Sequence, residues 1–133
     1  MLHKNILKIR DENNLGVVFH ELELSFEELE ITATDIITER VFQEVDEYNN
    51  KAANYQHALV QPKADEIILN SASKQKKRTI NAEKQVELAL LAFQNNGFFM
   101  LVDDRQIEEL NEIITIKAET TVSFIKLTPL VGG

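Results

Sequence analysis

Cysteine is absent from these 133 residues. Disulfides, thiolate zinc sites and a cysteine nucleophile are therefore excluded, and the composition suits a reducing cytoplasm. Basic residues are scarce. Lys and Arg number 14 against 22 Asp and Glu, a net charge of -8, so a nucleic-acid backbone or an anionic membrane repels the chain. Long apolar runs are missing as well. The longest, residues 88–93 and 98–102, are far too short to span a bilayer, and residues 1–20 lack the apolar stretch of a signal peptide. There is no glycine-rich phosphate loop and no serine elbow. His3, His20 and His57 are scattered, with no ligand-like spacing to carboxylates. The acidic pairs Glu27-Glu28 and Asp103-Asp104 read as solvated or turn residues, and His20 as a hydrogen-bonded, partly buried side chain. No active site, bound cofactor or metal site is expected of the chain itself.

Glycine is nearly absent too, and its placement is informative. Of four glycines, two are Gly132 and Gly133. At an average usage of about 7% such a terminal pair arises by chance about once in 200 chains.

The remaining residues pattern as one domain of ordinary size, 1–133, with 44% hydrophobic content for a core. Residues 5–10 (NILKIR) predict a strand and residues 11–16 (DENNLG) a turn. Residues 17–26 alternate, with Val18, His20, Leu22, Leu24 and Phe26 on one face and Glu21, Glu23 and Ser25 on the other. This predicts an antiparallel hairpin with one buried face. Residues 27–31 read as an acidic linker. A helix follows, with Thr32 and Asp35 at capping-box spacing and Thr34 as an alternative cap. Ile37, Val41, Val45 and Tyr48 form its apolar stripe. Glu39, Arg40, Gln43, Glu44 and Glu47 form its polar face, and fraying is expected by Asn49 and Asn50.

Residues 54–79, interrupted by Pro62, read as a mobile insertion. Within it Lys74, Lys76, Lys77 and Arg78 are either acceptor lysines or a docking site for an acidic partner, or simply a solvated loop. Asn81 caps a second helix with the stripe Val86, Ala89, Leu90 and Phe93. Gly97 sits where a left-handed C-terminal glycine belongs. Phe98 to Val102 predict an apolar strand, Asp103-Asp104 a turn, residues 105–107 a short partner strand and residues 108–116 a connection. Lys117 to Thr120 turn the chain into a last strand, in which Val122 and Phe124 face one way and Ser123, Ile125 and Leu127 the other. Pro129, which has no N–H, ends the ladder there, leaving residues 128–133 as a flexible tail. Ile125 and Leu127 either form an exposed apolar patch beside the tail or are covered by the insertion through residues 67–69. The whole predicts an α+β fold, a mixed sheet over one main helix with a second helix and an inserted loop.

This order resembles the ubiquitin-like β-grasp superfamily. Residues 82–96, FFMLVDDRQI, EELNEIITIKAE and TTVSFIKLTPLVGG resemble the sulfur-carrier subunits of molybdopterin and thiamine biosynthesis. ITATDIITERVFQEVDEYN, ALVQP, EKQVELALLAFQNNGFFMLVDDRQIEEL and PLVGG resemble bacterial ubiquitin-like modifiers of defence-type gene clusters. The resemblance implies a cytoplasmic protein that works with an adenylating enzyme using ATP and Mg, a conjugating enzyme, a deconjugating zinc peptidase and target proteins. It implies activation at the Gly133 carboxylate. Gly132 and Gly133, having no Cβ, thread a narrow channel, Pro129 keeps the tail off the sheet, and Leu130 and Val131 grip the partner. Three functions stay open: a protein modifier joined to lysine amines, a sulfur carrier bearing a thiocarboxylate, and an inert interaction module. A frayed or cut end would leave the same Gly-Gly. The extra surface of residues 54–79 favours the modifier over the compact sulfur carriers.

Overall fold

The computed structural model describes residues 5–51 and 80–126. The expected insertion and the expected tail lie outside these residues. Among the described residues, seven strands and two helices occur in the order β1 (Asn5–Glu12), β2 (Val18–Phe26), β3 (Glu30–Thr32), α1 (Ala33–Lys51), α2 (Ala82–Gln94), β4 (Phe98–Val102), β5 (Arg105–Ile107), β6 (Ile113–Thr115) and β7 (Thr121–Lys126). The fold is α+β. By contacts the chain divides into two compact units, one holding the residues up to Ile36 and from Leu90 onward, the other Ile37–Ala89.

All seven strands belong to the first unit. Five of them form a mixed sheet in the order β2-β1-β7-β4-β5. Only β1 and β7 run parallel, at its centre. β1/β2, β4/β7 and β4/β5 are antiparallel. A first hairpin beside a last strand inserted at the centre is the arrangement a β-grasp requires. The central strands bury Leu7, Ile9, Phe98, Met100, Val122 and Phe124 on one face, the period-2 consequence of their alternating sequences. Phe98 stacks tilted on Phe93 and Phe124, with centroids 6.0 and 5.7 Å away.

The first hairpin departs from its expected form. β1 runs through Asp11 and Glu12, so Asp11 is a strand residue and fully buried rather than part of the turn. Asp11 Oδ2 lies 3.2 Å from Nδ1 of half-buried His20, its register partner. A bulge then sets Glu12 opposite Val18 and leaves Phe19 as the extra residue. One extra residue reverses the alternation beyond it. Val18 therefore joins Glu12 on the outer face instead of Leu22, Leu24 and Phe26 on the buried side.

The acidic linker and the later connection each hide a strand. β3 and β6 pair antiparallel as a separate two-stranded sheet, with buried Ile31 opposite buried Ile114. β3 leads directly into α1 through the expected capping box. Thr32 Oγ1 accepts from the Asp35 N–H at 3.1 Å, and Asp35 Oδ2 accepts from the Thr32 N–H at 2.9 Å. Thr34 is not the cap. Its hydroxyl and N–H both donate to the Leu110 carbonyl, at 3.0 Å each. The Ala33 N–H donates to Glu112 O at 3.1 Å, so two more first-turn donors of α1 are satisfied by the approach to β6.

In the second unit α1 buries Ile37, Val41, Val45 and Tyr48 as expected. Arg40, placed on the polar face by its chemistry, is fully buried instead. Its position shares the stripe of residues 36, 37, 41 and 44, and its Nε donates to Glu44 at 2.7 Å, an i,i+4 pair that compensates the charge. The helix does not fray at Asn49. It continues to Lys51, and the Asn49 side chain bonds both polar groups of the Ile80 backbone, at 2.9 and 3.3 Å. Asn81 caps α2 through Oδ1 and the Lys84 N–H, at 3.0 Å. Gln85 and Ala89 head the buried stripe of α2, and Val86 is only half-buried.

At its other end, in the first unit, α2 closes in a Schellman motif whose left-handed residue is Asn96 (φ 62°), not Gly97. The Gly97 N–H bonds Ala92 O at 2.7 Å and the Asn96 N–H bonds Phe93 O at 3.2 Å. Gly97 is suited to its place by close approach, since a Cβ there would sit 3.2 Å from both Cβ and O of Ala92.

Candidate functional site

Of the residues expected to carry function, Ile125 alone lies among the described residues, near the end of β7. Its placement is built from the turn that starts the strand. The Thr120 N–H donates to Lys117 O at 3.1 Å while Thr120 Oγ1 accepts from the Lys117 N–H at 2.9 Å. These bonds close the chain reversal that brings residue 121 into the sheet. Asp103 then receives it from the β4/β5 turn. Its Oδ1 accepts from the Thr121 N–H at 3.0 Å and its own N–H donates to Thr121 O at 2.9 Å. β7 is thus pinned at its first residue before its ladders to β1 and β4 begin.

Within β7, Val122 and Phe124 are fully buried and Ile125 is half-buried on the opposite face. Across the sheet Ile125 stands opposite Glu12 and Phe99, and Glu12 stands opposite Val18. Ser123 stands opposite Arg10 and Leu101, and Leu101 opposite Gln106. The outer face near the end of β7 therefore carries Ile125, Phe99 and Leu101, while Glu12 separates Ile125 from Val18. Only Ile125 was expected there. Phe99 and Leu101 were read simply as part of an apolar run. Their odd positions, opposite in parity to Phe98, Met100 and Val102, are the signal that separates them. Phe99, Leu101 and Ile125 are each half-buried.

Leu127, Pro129, Leu130, Val131, Gly132 and Gly133 lie outside the described residues, as do residues 67–69, the alternative cover for Ile125, and the basic cluster 74–78. No group of three or more His, Asp or Glu side chains placed to hold a metal ion occurs among the described residues. No described helix is long and apolar enough to cross a membrane. Compared with known proteins, the chain matches no family model, no curated protein and no solved structure. The mixed sheet order, with parallel β1 and β7 at its centre, is what the chain shares with a β-grasp arrangement.

Proposed function

We propose that the chain is a ubiquitin-like protein modifier, joined through the Gly133 carboxylate to lysine amines of target proteins in the cytoplasm. The observation that carries this reading is the coincidence of a β-grasp strand order with a last central strand whose sequence runs on to Gly132 and Gly133. In this reading the Gly133 carboxylate attacks the α-phosphate of Mg-ATP on an adenylating enzyme and releases pyrophosphate. A thiolate of a partner then displaces AMP to form a thioester. A lysine amine displaces the thiolate, loses a proton and forms the isopeptide bond. The apolar strip of Ile125, Phe99 and Leu101 supplies a docking surface for the activating enzyme. Leu130 and Val131 hold the tail in that enzyme's channel. A conjugating enzyme and a zinc-dependent deconjugating peptidase complete the cycle, and the chain itself performs no catalysis.

The test compares N-terminally tagged protein with a variant lacking Gly132 and Gly133, in its native cytoplasm and with the activating enzyme present. Denaturing blots and intact mass read the outcome. A ladder of heavier tagged species that disappears with the truncation is expected. A single species in which one terminal oxygen is replaced by sulfur would assign a sulfur carrier instead. Identical blots and masses would leave the inert interaction module.

A further inference from the structure

The turn from α2 into β4 closes one corner of the first unit. At that corner lies a pocket of about 250 Å³, lined from the end of α2, the start of β4 and the end of β5. It is smaller than the roughly 300 Å³ at which small-molecule sites begin, so it suits one inserted side chain rather than a cofactor. Its apolar wall is aromatic. Phe93 and Phe98 are buried there with ring centroids 6.0 Å apart, and Phe99 is half-buried. Its polar groups are the side-chain amides of Gln94, Asn96 and Gln106 and the carboxylate of Glu108, all on exposed residues.

These groups favour one sign of charge. An amide both donates and accepts and selects neither sign, but the Glu108 carboxylate only accepts. The end of a 13-residue helix adds partial negative charge, and α2 has no basic residue in its last turn to offset it. Aromatic faces attract a cation as well. Among the described residues no Lys, Arg or His lines the pocket, and none pairs with Glu108. The complement is therefore a cation with an apolar stem. A guanidinium suits the site better than an ammonium, because it is planar, stacks on rings and spreads its N–H donors as a fork over several oxygens. We infer that this pocket takes up an arginine side chain from an exposed segment of a partner protein. Glu108 receives the guanidinium, the amide oxygens of Gln94, Asn96 and Gln106 accept its remaining N–H groups, and the phenylalanine rings hold its stem and face. The pocket does not involve the Gly133 carboxylate, so this inference stands or falls apart from the modifier reading.

Amide shifts of the full-length, isotopically labelled protein test the inference by titration with a capped alanine–arginine–alanine peptide. Saturable shifts are expected in the side-chain amides of Gln94, Asn96 and Gln106 and in the backbone of residues 93–99 and 106–108. A peptide with citrulline in place of arginine keeps the shape and loses the charge, and should bind at least about fivefold more weakly. A lysine peptide should also bind more weakly than the arginine peptide. Glu108→Gln should weaken the arginine peptide about threefold. Glu109→Gln removes a charge one residue away that does not line the pocket, and should leave the affinity unchanged. Equal binding of the citrulline and arginine peptides, or equal losses in the two variants, would overturn the inference. So would a lysine peptide that binds as tightly, shifts confined to other elements, or no saturable binding.

Discussion

The sheet contains two hairpins that solve the same problem differently. The β1/β2 tip, residues 13–17, is held by its own first residue. Asn13 Oδ1 accepts from the N–H groups of Leu15 and Val17, at 2.8 and 3.0 Å, and Gly16 takes the positive φ of 84°. Apolar Leu15, Val17, Val18 and Phe19 stay exposed around it. The β4/β5 tip is a two-residue turn. Asp103 and Asp104 both have positive φ, 49° and 71°, the geometry that matches strand twist in a type I′ turn. It is held from outside, by the bonds between Asp103 and Thr121. Arg105 just beyond it pairs with Glu112. The first tip is a self-contained projection, whereas the second is part of the frame that positions β7. Disturbance at the first should stay local, and disturbance at the second should reach the root of the C-terminal strand.

The largest expected effect lies in the second hairpin. Phe98→Ala should cost about 3–5 kcal/mol of stability in chemical denaturation, because it opens a cavity between Phe93 and Phe124 and removes their ring contacts. Asp103→Ala comes next, at about 0.5–1.5 kcal/mol, since it removes the side-chain acceptor of the solvent-exposed Thr121 N–H. Hydrogen exchange should then accelerate in Thr121–Lys126, and unchanged exchange there would break the proposed division of roles. Asn13→Ala should cost about 1 kcal/mol, with exchange faster only in the first tip. Asp104→Gly should stabilise by about 0.5–1 kcal/mol, because glycine accepts the left-handed conformation without a Cβ penalty. Leu15→Ala, at a position 83% exposed on the first tip, should change stability by less than about 0.5 kcal/mol, the smallest effect and the sharpest contrast with Phe98. A comparable loss from both substitutions would mean that the first hairpin's tip is as integral as the second's.

Elements whose cues are local were legible in the residues. The capping box at Thr32 and Asp35, the Asn81 cap, the Asp103-Asp104 turn and the apolar stripe from Ile37 to Tyr48 each depend on neighbours within four positions. Three errors share another cause. Arg40 looks polar by type, but its helical position places it among buried neighbours, and an i,i+4 carboxylate makes that tolerable. Val18 changes face because a bulge at the adjacent Phe19, fixed by how β2 pairs with β1, shifts the count by one. Asn96, not Gly97, takes the left-handed turn because Gly97 is needed where the chain closes on Ala92. The candidate site was legible only in part. Ile125 could be placed by parity, while its neighbours Phe99 and Glu12 come from strands distant in sequence.

Composition, periodicity and turn chemistry by themselves determined the α+β class and most of the helices and strands. They could do so because caps, turns and alternation are short-range preferences of the backbone. The tertiary structure alone decided that β1 and β7 pair in parallel, that three-residue β3 and β6 find each other across 80 residues of chain, and that Asp11 is buried beside His20. Those outcomes depend on ladder hydrogen bonds and burial shared between distant segments, and no local pattern encodes which distant strand completes a pair.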